Sequence, residues 1–308
     1  MSYEGKMLEQ LAMPSRKQVE QVLLRVLLKH DGVIKEFGHG QKIVEEIADN
    51  FGLNERQRSV FLETIYRKEN RVKKSLLWHR LLFRAADSLT KEHLVSRPTQ
   101  TVQLTGEKEW MLTEKGLDRA LELCNIPPAR KDCLPTKSFE VQKIVKKLIE
   151  SPPRGEDYNP FDKSKSIVKT TKESVLRGRG FRQAVIEAYK CKCSVCGLKI
   201  RSPDSLSWEV EAAHIVPNHS FGRDDVCNGI ALCHLHHWAF DVGWFTVLDD
   251  YTIEASQQAY GVASTFGSDR FFSMLTNKSA IISLPGRSEI NPHPNALRWH
   301  RQNVFHRQ

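Results

Sequence analysis

Two short-spaced ligand pairs set the tightest constraint on what this chain can fold into. Cys193 and Cys196 form a CxxC knuckle, and Cys233 and His236 repeat the same gap further along. Zinc takes four nitrogen or sulfur ligands in a tetrahedron, and two such pairs joined through a hairpin supply them. The bland alternative is that these cysteines are small buried hydrophobes, which leaves the repeated spacing unexplained. Cys191 and Cys227 lie close by, but Cys191 sits only two residues before Cys193, a gap less suited to the knuckle, and both are left out. The chain has seven cysteines. An odd number, with three in metal spacing, points to a reducing compartment rather than a disulfide framework, so a cytoplasmic protein is expected.

A second set is threaded through the first. Glu209 to Pro217 (EVEAAHIVP) is apolar and β-branched around His214 and predicts a strand ending in a loop. Asn228-Gly229 marks a turn, Ile230 to Cys233 a second strand, and CHLHHWAFD a helix that runs to Gly243. On that helix His237 and Asp241 are four residues apart and share a face. His214 is expected to face it. A neutral imidazole is a suitable general base near pH 7. A divalent cation, Mg²⁺ or Mn²⁺, held by His237 and Asp241 would polarise a phosphate, and Asn228 is expected to hold the His214 ring by a hydrogen bond. One histidine beside an apolar strand is more often structural. His214, Asn228 and His237 in this order around a zinc clamp point instead to phosphodiester hydrolysis.

The segment resembles an HNH endonuclease domain, the ββα-metal fold. The resemblance rests on EAAHI (Glu211 to Ile215), NGIALC (Asn228 to Cys233) and HHWAFDVG (His236 to Gly243), with flanks FRQAVIEAYKCKCSVCG (Phe181 to Gly197) and ALRWHRQNVF (Ala296 to Phe305) like those of restriction-type members. It implies His214 as general base, Asn228 as positioning residue and His237 as ligand of the catalytic cation. Many members carry an Asp or His ligand directly before the base. Here that position is Ala213, so Asp241 is taken as the replacement, with Glu211 as second choice.

A length of 308 residues suggests two domains. A formal charge of +9 favours a polyanionic partner, although alone it is equally a matter of solubility. No apolar run approaches the ~18 residues of a spanning helix, and MSYEGKMLEQ has no apolar signal region, so no membrane role is expected. Residues 14–124 are read as one domain, 125–180 as a linker with one helix, and 181–308 as the second domain.

In the first domain Ser15 to Gln18 is a capping-box pattern opening a helix with Val19, Leu23, Val26 and Leu27 inward. Helices follow at about Gln41 to Phe51 and from Asn54. A longer one is predicted from Glu69 to Ser88, with Val72, Leu76, Leu77 and Leu81 toward a core and Arg71, Lys73, Lys74, Arg80 and Arg84 as its basic residues. Strands at Leu94-Val95 and Trp110 to Leu112 are expected to flank a loop, Ser96 to Lys108, before a last helix from Thr113. Helices followed by a two-stranded hairpin is the order of a winged helix. Pro14 to Leu24, Glu69 to Phe83 and Trp110 to Gly116 resemble the N-terminal domain of Mrr-type restriction proteins. That resemblance implies a DNA-binding module whose basic helix enters the major groove, and an association with modified DNA.

The expectation is an α+β chain: an N-terminal winged helix joined to a C-terminal zinc-stabilised ββα-metal (HNH) nuclease domain. It would act as a metal-dependent restriction-type endonuclease on double-stranded DNA at specific or modified sites. One ββα site cuts one strand, so a homodimer is expected. The alternative is a catalytically inactive zinc-containing winged-helix regulator.

Overall fold

A computed structural model describes residues 3–35, 37, 42–66, 71–162, 172–258 and 280–305. The chain divides into two compact units, Met1–Glu140 and Val141–Gln308. No helix among the described residues is long and apolar enough to cross a membrane.

In the first unit, α1 (Tyr3–Gln10) precedes α2 (Arg16–Lys29). The Ser15 hydroxyl accepts from the Gln18 amide and the Gln18 side chain accepts from the Ser15 amide at 2.8 Å. This reciprocal cap is worth about 1 kcal/mol. α2 buries Val19, Leu23, Val26 and Leu27 and packs against α5 (Leu77–Lys91) and α7 (Glu114–Leu123). α3 (Lys42–Asn50) and α4 (Glu55–Ser59) follow α2, and Asn54 and Gln57 cap α4 reciprocally as Ser15 and Gln18 cap α2. Strands β1 (Val33–Lys35), β4 (Val95–Ser96) and β5 (Glu109–Leu112) form an antiparallel sheet in the order β1-β5-β4, with Ile34 opposite Trp110 and Val95 opposite Leu112.

Two sequence expectations fail here. The single long helix predicted from Glu69 to Ser88 is interrupted by a strand. Residues 67–70 lie outside the described set, and Arg71 to Leu76 form strand β3, paired antiparallel with β2 (Phe61–Tyr66). The helix starts only at Leu77. Arg71, Lys73 and Lys74 therefore take strand positions, not one helix face; the side chains of Arg71 and Lys73 lie outside the described residues. Lys74 stands opposite Glu63 and pairs with it at 3.0 Å. Val72, expected in the core, is 53 % exposed. Val72 and Leu76 satisfy helical spacing, but Val72 is β-branched and its segment pairs along its whole length with β2. Arg80 and Arg84 do lie on α5, but both grip the Glu4 carboxylate, at 3.0 and 2.8 Å. The second failure is the loop expected over Ser96 to Lys108, which contains α6 (Pro98–Thr105). Pro98 occupies the first helical position, where its missing N–H is not needed, and Gly106 closes the helix at φ 78°.

The second unit is built on α9 (Lys172–Ala188), which packs on the antiparallel pair β6 (Val210–His214) and β7 (Gly229–Cys233). α10 (His234–Asp241) follows β7 directly. β8 (Phe245–Val247) pairs with β9 (Ile253–Ala255), and α11 (Pro294–Asn303) packs on β8. Part of the stretch read as a linker is core-packed: α8 (Phe139–Ile149) buries Val141 and Val145 in this unit's core. Arg154 pairs with Asp225 at 2.5 Å, and the Arg223 amide donates to Pro160 O at 2.8 Å.

His300 ties α11 to α10. Its Nδ1 lies 2.9 Å from Thr246 Oγ1, its Nε2 3.0 Å from Phe240 O, and its ring stacks on Phe240 at 3.6 Å. Burial depresses its pKa from 6.5 to about 4. The unfolded chain takes up this proton below pH 6.5 and the folded chain does not. The ring's contribution is therefore complete above that value and lost as pH falls toward 4. Lowering pH from 7 to 5 is expected to cost about 2 kcal/mol through this group. Thermal unfolding at the two pH values checks it: His300→Gln starts less stable at pH 7 but shows a shallower decline.

Candidate active site and metal cluster

The Cys/His cluster forms where three segments meet. Among the described residues, Cys193, Cys196, Cys233 and His236 form the group of potential ligands whose donor atoms all lie within 4.8 Å of one another. Gly197, at φ 72°, turns the knuckle back so that its amide donates to Cys193 O at 2.9 Å, and the Ser194 amide bonds Ala231 O of β7 at 2.8 Å. Cys233 ends β7 and is the N-cap of α10, which places His236 one turn on with its Nδ1 at 3.0 Å from the Cys233 sulfur. The hydrogen bond from Cys233 holds the Cys193 thiol well below the ordinary range, and the same bond raises Cys233. Three sulfurs and one imidazole, half of them already competing for a proton, suit a tetrahedral zinc ion. Cys191 and Cys227 stand outside the cluster; Cys227 donates to Glu289 O at 3.5 Å and burial pushes its thiol up to about 12.

His214 ends β6, opposite Gly229 of β7. Its ring lies on Phe181 of α9, centroids 3.9 Å apart and nearly parallel, and its Nε2 is 3.0 Å from Asp224 Oδ1. Gly229 leaves room for this stack: a Cβ there would stand 2.4 Å from Val185 Cγ2 and 3.0 Å from Phe181, so those side chains would have to shift. Asn228 is fully buried but does not hold the His214 ring as expected. Its carboxamide accepts from the Val216 amide at 2.9 Å and donates to Val216 O at 3.1 Å and Arg223 O at 3.0 Å. The reason is position: at the foot of β7 the side chain meets backbone groups of the loop leaving His214, which would otherwise be buried unpaired. Asp224 was not singled out from the sequence. A loop carboxylate beside another, Asp225, carries no spacing signal.

On α10, His237 sits between two carboxylates. Its Nδ1 is 3.0 Å from Glu211 Oε2 and its Nε2 3.5 Å from Asp241 Oδ2. Glu211 also reaches His234 Nε2 at 3.0 Å. The bond with His237 brings the Glu211 carboxyl down to about 2, against the opposing effect of burial. Burial pulls the His237 pKa down, but the Glu211 bond and the Asp241 charge outweigh it and the net direction is up. Asp241 is raised, chiefly by burial. Glu211, the second choice from sequence, is thus the nearer carboxylate. His214, His237 and Asp241 line one cavity of about 620 Å³, together with His219, which the sequence reading did not place there.

Cys196 is exposed, which makes it a clean test of the cluster. Replacing an exposed residue ordinarily shifts stability by no more than about 0.5 kcal/mol. Cys196→Ala is expected to lose bound zinc in metal analysis and to lower the melting temperature far beyond that. Unchanged zinc content and melting would exclude a ligand role.

Residues 193–248 match a family model described as HNH endonuclease. Comparison with curated protein sequences gives no match. Among solved structures, one described as "Modification dependent TagI restriction endonuclease" aligns with 22% identity and a TM-score of 0.30, over 40% of this chain and 37% of that chain. The matched family segment begins at the first cysteine of the cluster and takes in His214, Asn228 and His237. Residues 193–248 are an HNH endonuclease domain.

Proposed function

We propose that the chain is a metal-dependent endonuclease of restriction type that hydrolyses phosphodiester bonds in double-stranded DNA. The observation that carries this reading is that His214 and His237 line one cavity, with carboxylates on both sides of His237. In this reading His214 takes a proton from water, the water oxygen bonds to phosphorus, and the bond to the 3′ oxygen breaks. That oxygen leaves with a proton from solvent, giving 5′-phosphate and 3′-hydroxyl ends. His237, with Glu211 and Asp241, would hold a Mg²⁺ or Mn²⁺ ion, which would supply charge stabilisation as negative charge builds on the five-coordinate phosphorus. The cysteine cluster would hold zinc as a structural ion.

The first unit is read as a winged helix that selects the DNA. The sheet order β1-β5-β4, with α2, α3 and α5 before the β4–β5 return, supports this. The basic footprint is smaller than the sequence alone implies, because Arg80, Arg84 and Lys74 already hold carboxylates. Recognition of specific or modified sites is part of the same reading.

Ala213 favours one rival, a zinc-containing DNA-binding regulator without catalysis. Ala213 is fully buried. Successive side chains of a strand alternate, so Glu211 stands on the same face two residues earlier and already supplies a carboxylate to His237. That favours the enzyme.

The deciding measurement is cleavage of matched modified and unmodified plasmid DNA with added Mg²⁺ or Mn²⁺. His214→Ala is expected to lose roughly 10²- to 10⁴-fold in rate, the usual weight of a general base, with DNA affinity retained. Full cleavage by that variant, or none by the wild type on either DNA with either ion, removes the proposal. Double-strand cutting by single-strand sites further implies a dimer on DNA. Sedimentation that finds one copy per cut duplex would contradict it.

A further inference from the structure

Asn228 does not touch the base histidine, yet it shapes what does. Its carboxamide bonds both Val216, just after His214, and Arg223 O, just before Asp224. Asp225 fixes the other side of the same loop: it accepts from the Cys227 amide at 3.1 Å and from Arg154 at 2.5 Å. Gly222 allows the tight return, since a Cβ there would fall 1.7 Å from Val216 O. Asp224 is thus held between two anchored residues, and its carboxylate meets His214 Nε2 at 3.0 Å in a half-buried setting.

We infer that Asp224 is a positioning residue for His214, fixing the ring so that Nδ1 is the nitrogen offered to the attacking water. An ionised carboxylate only accepts hydrogen bonds, so a neutral ring beside it carries its proton on Nε2 and keeps its lone pair on Nδ1. Phe181 covers one face of the ring. Among the described residues Nδ1 takes no hydrogen bond, and the residue lines the cavity shared with His237 and Asp241. Asn228 then acts on the ring at one remove, through the loop it closes. This inference rests on the nuclease reading for its consequence, but not for its geometry.

The test uses the full chain labelled with ¹⁵N-histidine, with the His214 signals identified by their loss in His214→Gln. The wild-type ring is expected in the Nε2–H form. Asp224→Asn preserves size and can still bond the ring, so a merely structural role would survive it. Its amide N–H donates to Nε2 and draws the ring proton to Nδ1, the wrong tautomer. The expected result is a new Nδ1–H population and a kcat lower by about 10- to 100-fold at unchanged KM for plasmid DNA. Asp224→Glu, which restores the acceptor, is expected to recover most of the rate. Circular dichroism checks the fold of each variant, and Asp224→Ala provides a second reading of the ring signals. Wild-type ring signals in Asp224→Asn, or cleavage by it at the wild-type rate, overturns the inference. If the wild-type chain cuts no DNA, the nuclease reading falls while the ring spectra still decide the role of Asp224.

Discussion

The second unit depends on how Cys233 is used. One residue ends β7, caps α10 and contributes a sulfur to the cluster. Whatever fixes that sulfur to Cys193, Cys196 and His236 also fixes the angle at which α10 leaves the strand pair. His237 follows His236 directly, so its reach toward Glu211 on β6 is set by the same junction. A short helix of eight residues has little stability of its own. Its placement comes from the cluster at one end and from Phe240 and His300 at the other.

The opposite wall of the cavity is built differently. Among the described residues no second cluster of metal-ligand donors lies there, and the loop between β6 and β7 is held by backbone hydrogen bonds to the buried Asn228 carboxamide and by Asp225, which accepts from Cys227 and Arg154. An unsatisfied buried polar group costs about 1–3 kcal/mol, so Asn228, with three partners, keeps Val216 and Arg223 where they are. The His214 ring gains its orientation from a stack beneath and a carboxylate at its edge. One wall is organised by potential metal ligands and the other by amide chemistry.

Much of this was legible in the sequence, for local reasons. The cluster residues and the strand, turn, strand, helix order follow from short spacings and turn residues that act over a few positions. The capping boxes at Ser15 and Asn54 are equally local. What was not legible depends on distance in space. Asp224 is distinguished from Asp225 only by which side chain it meets. Asn228 is expected at the His214 ring but bonds the backbone of Val216 and Arg223 instead, since sequence order does not say whether a buried amide faces a ring or a backbone. The β2–β3 hairpin was hidden because Val72 and Leu76 happen to satisfy helical spacing, while the cross-strand match of Glu63 with Lys74 becomes visible only once the strands pair.

The grip of Arg80 and Arg84 on Glu4 has a consequence for any polyanion that meets α5. A cation already neutralised within its own fold displaces few condensed counterions from a phosphate backbone. The ionic-strength dependence of such an encounter would then be flatter than a tally of basic residues implies, and α1, through one carboxylate, would set how steeply affinity falls as salt is added.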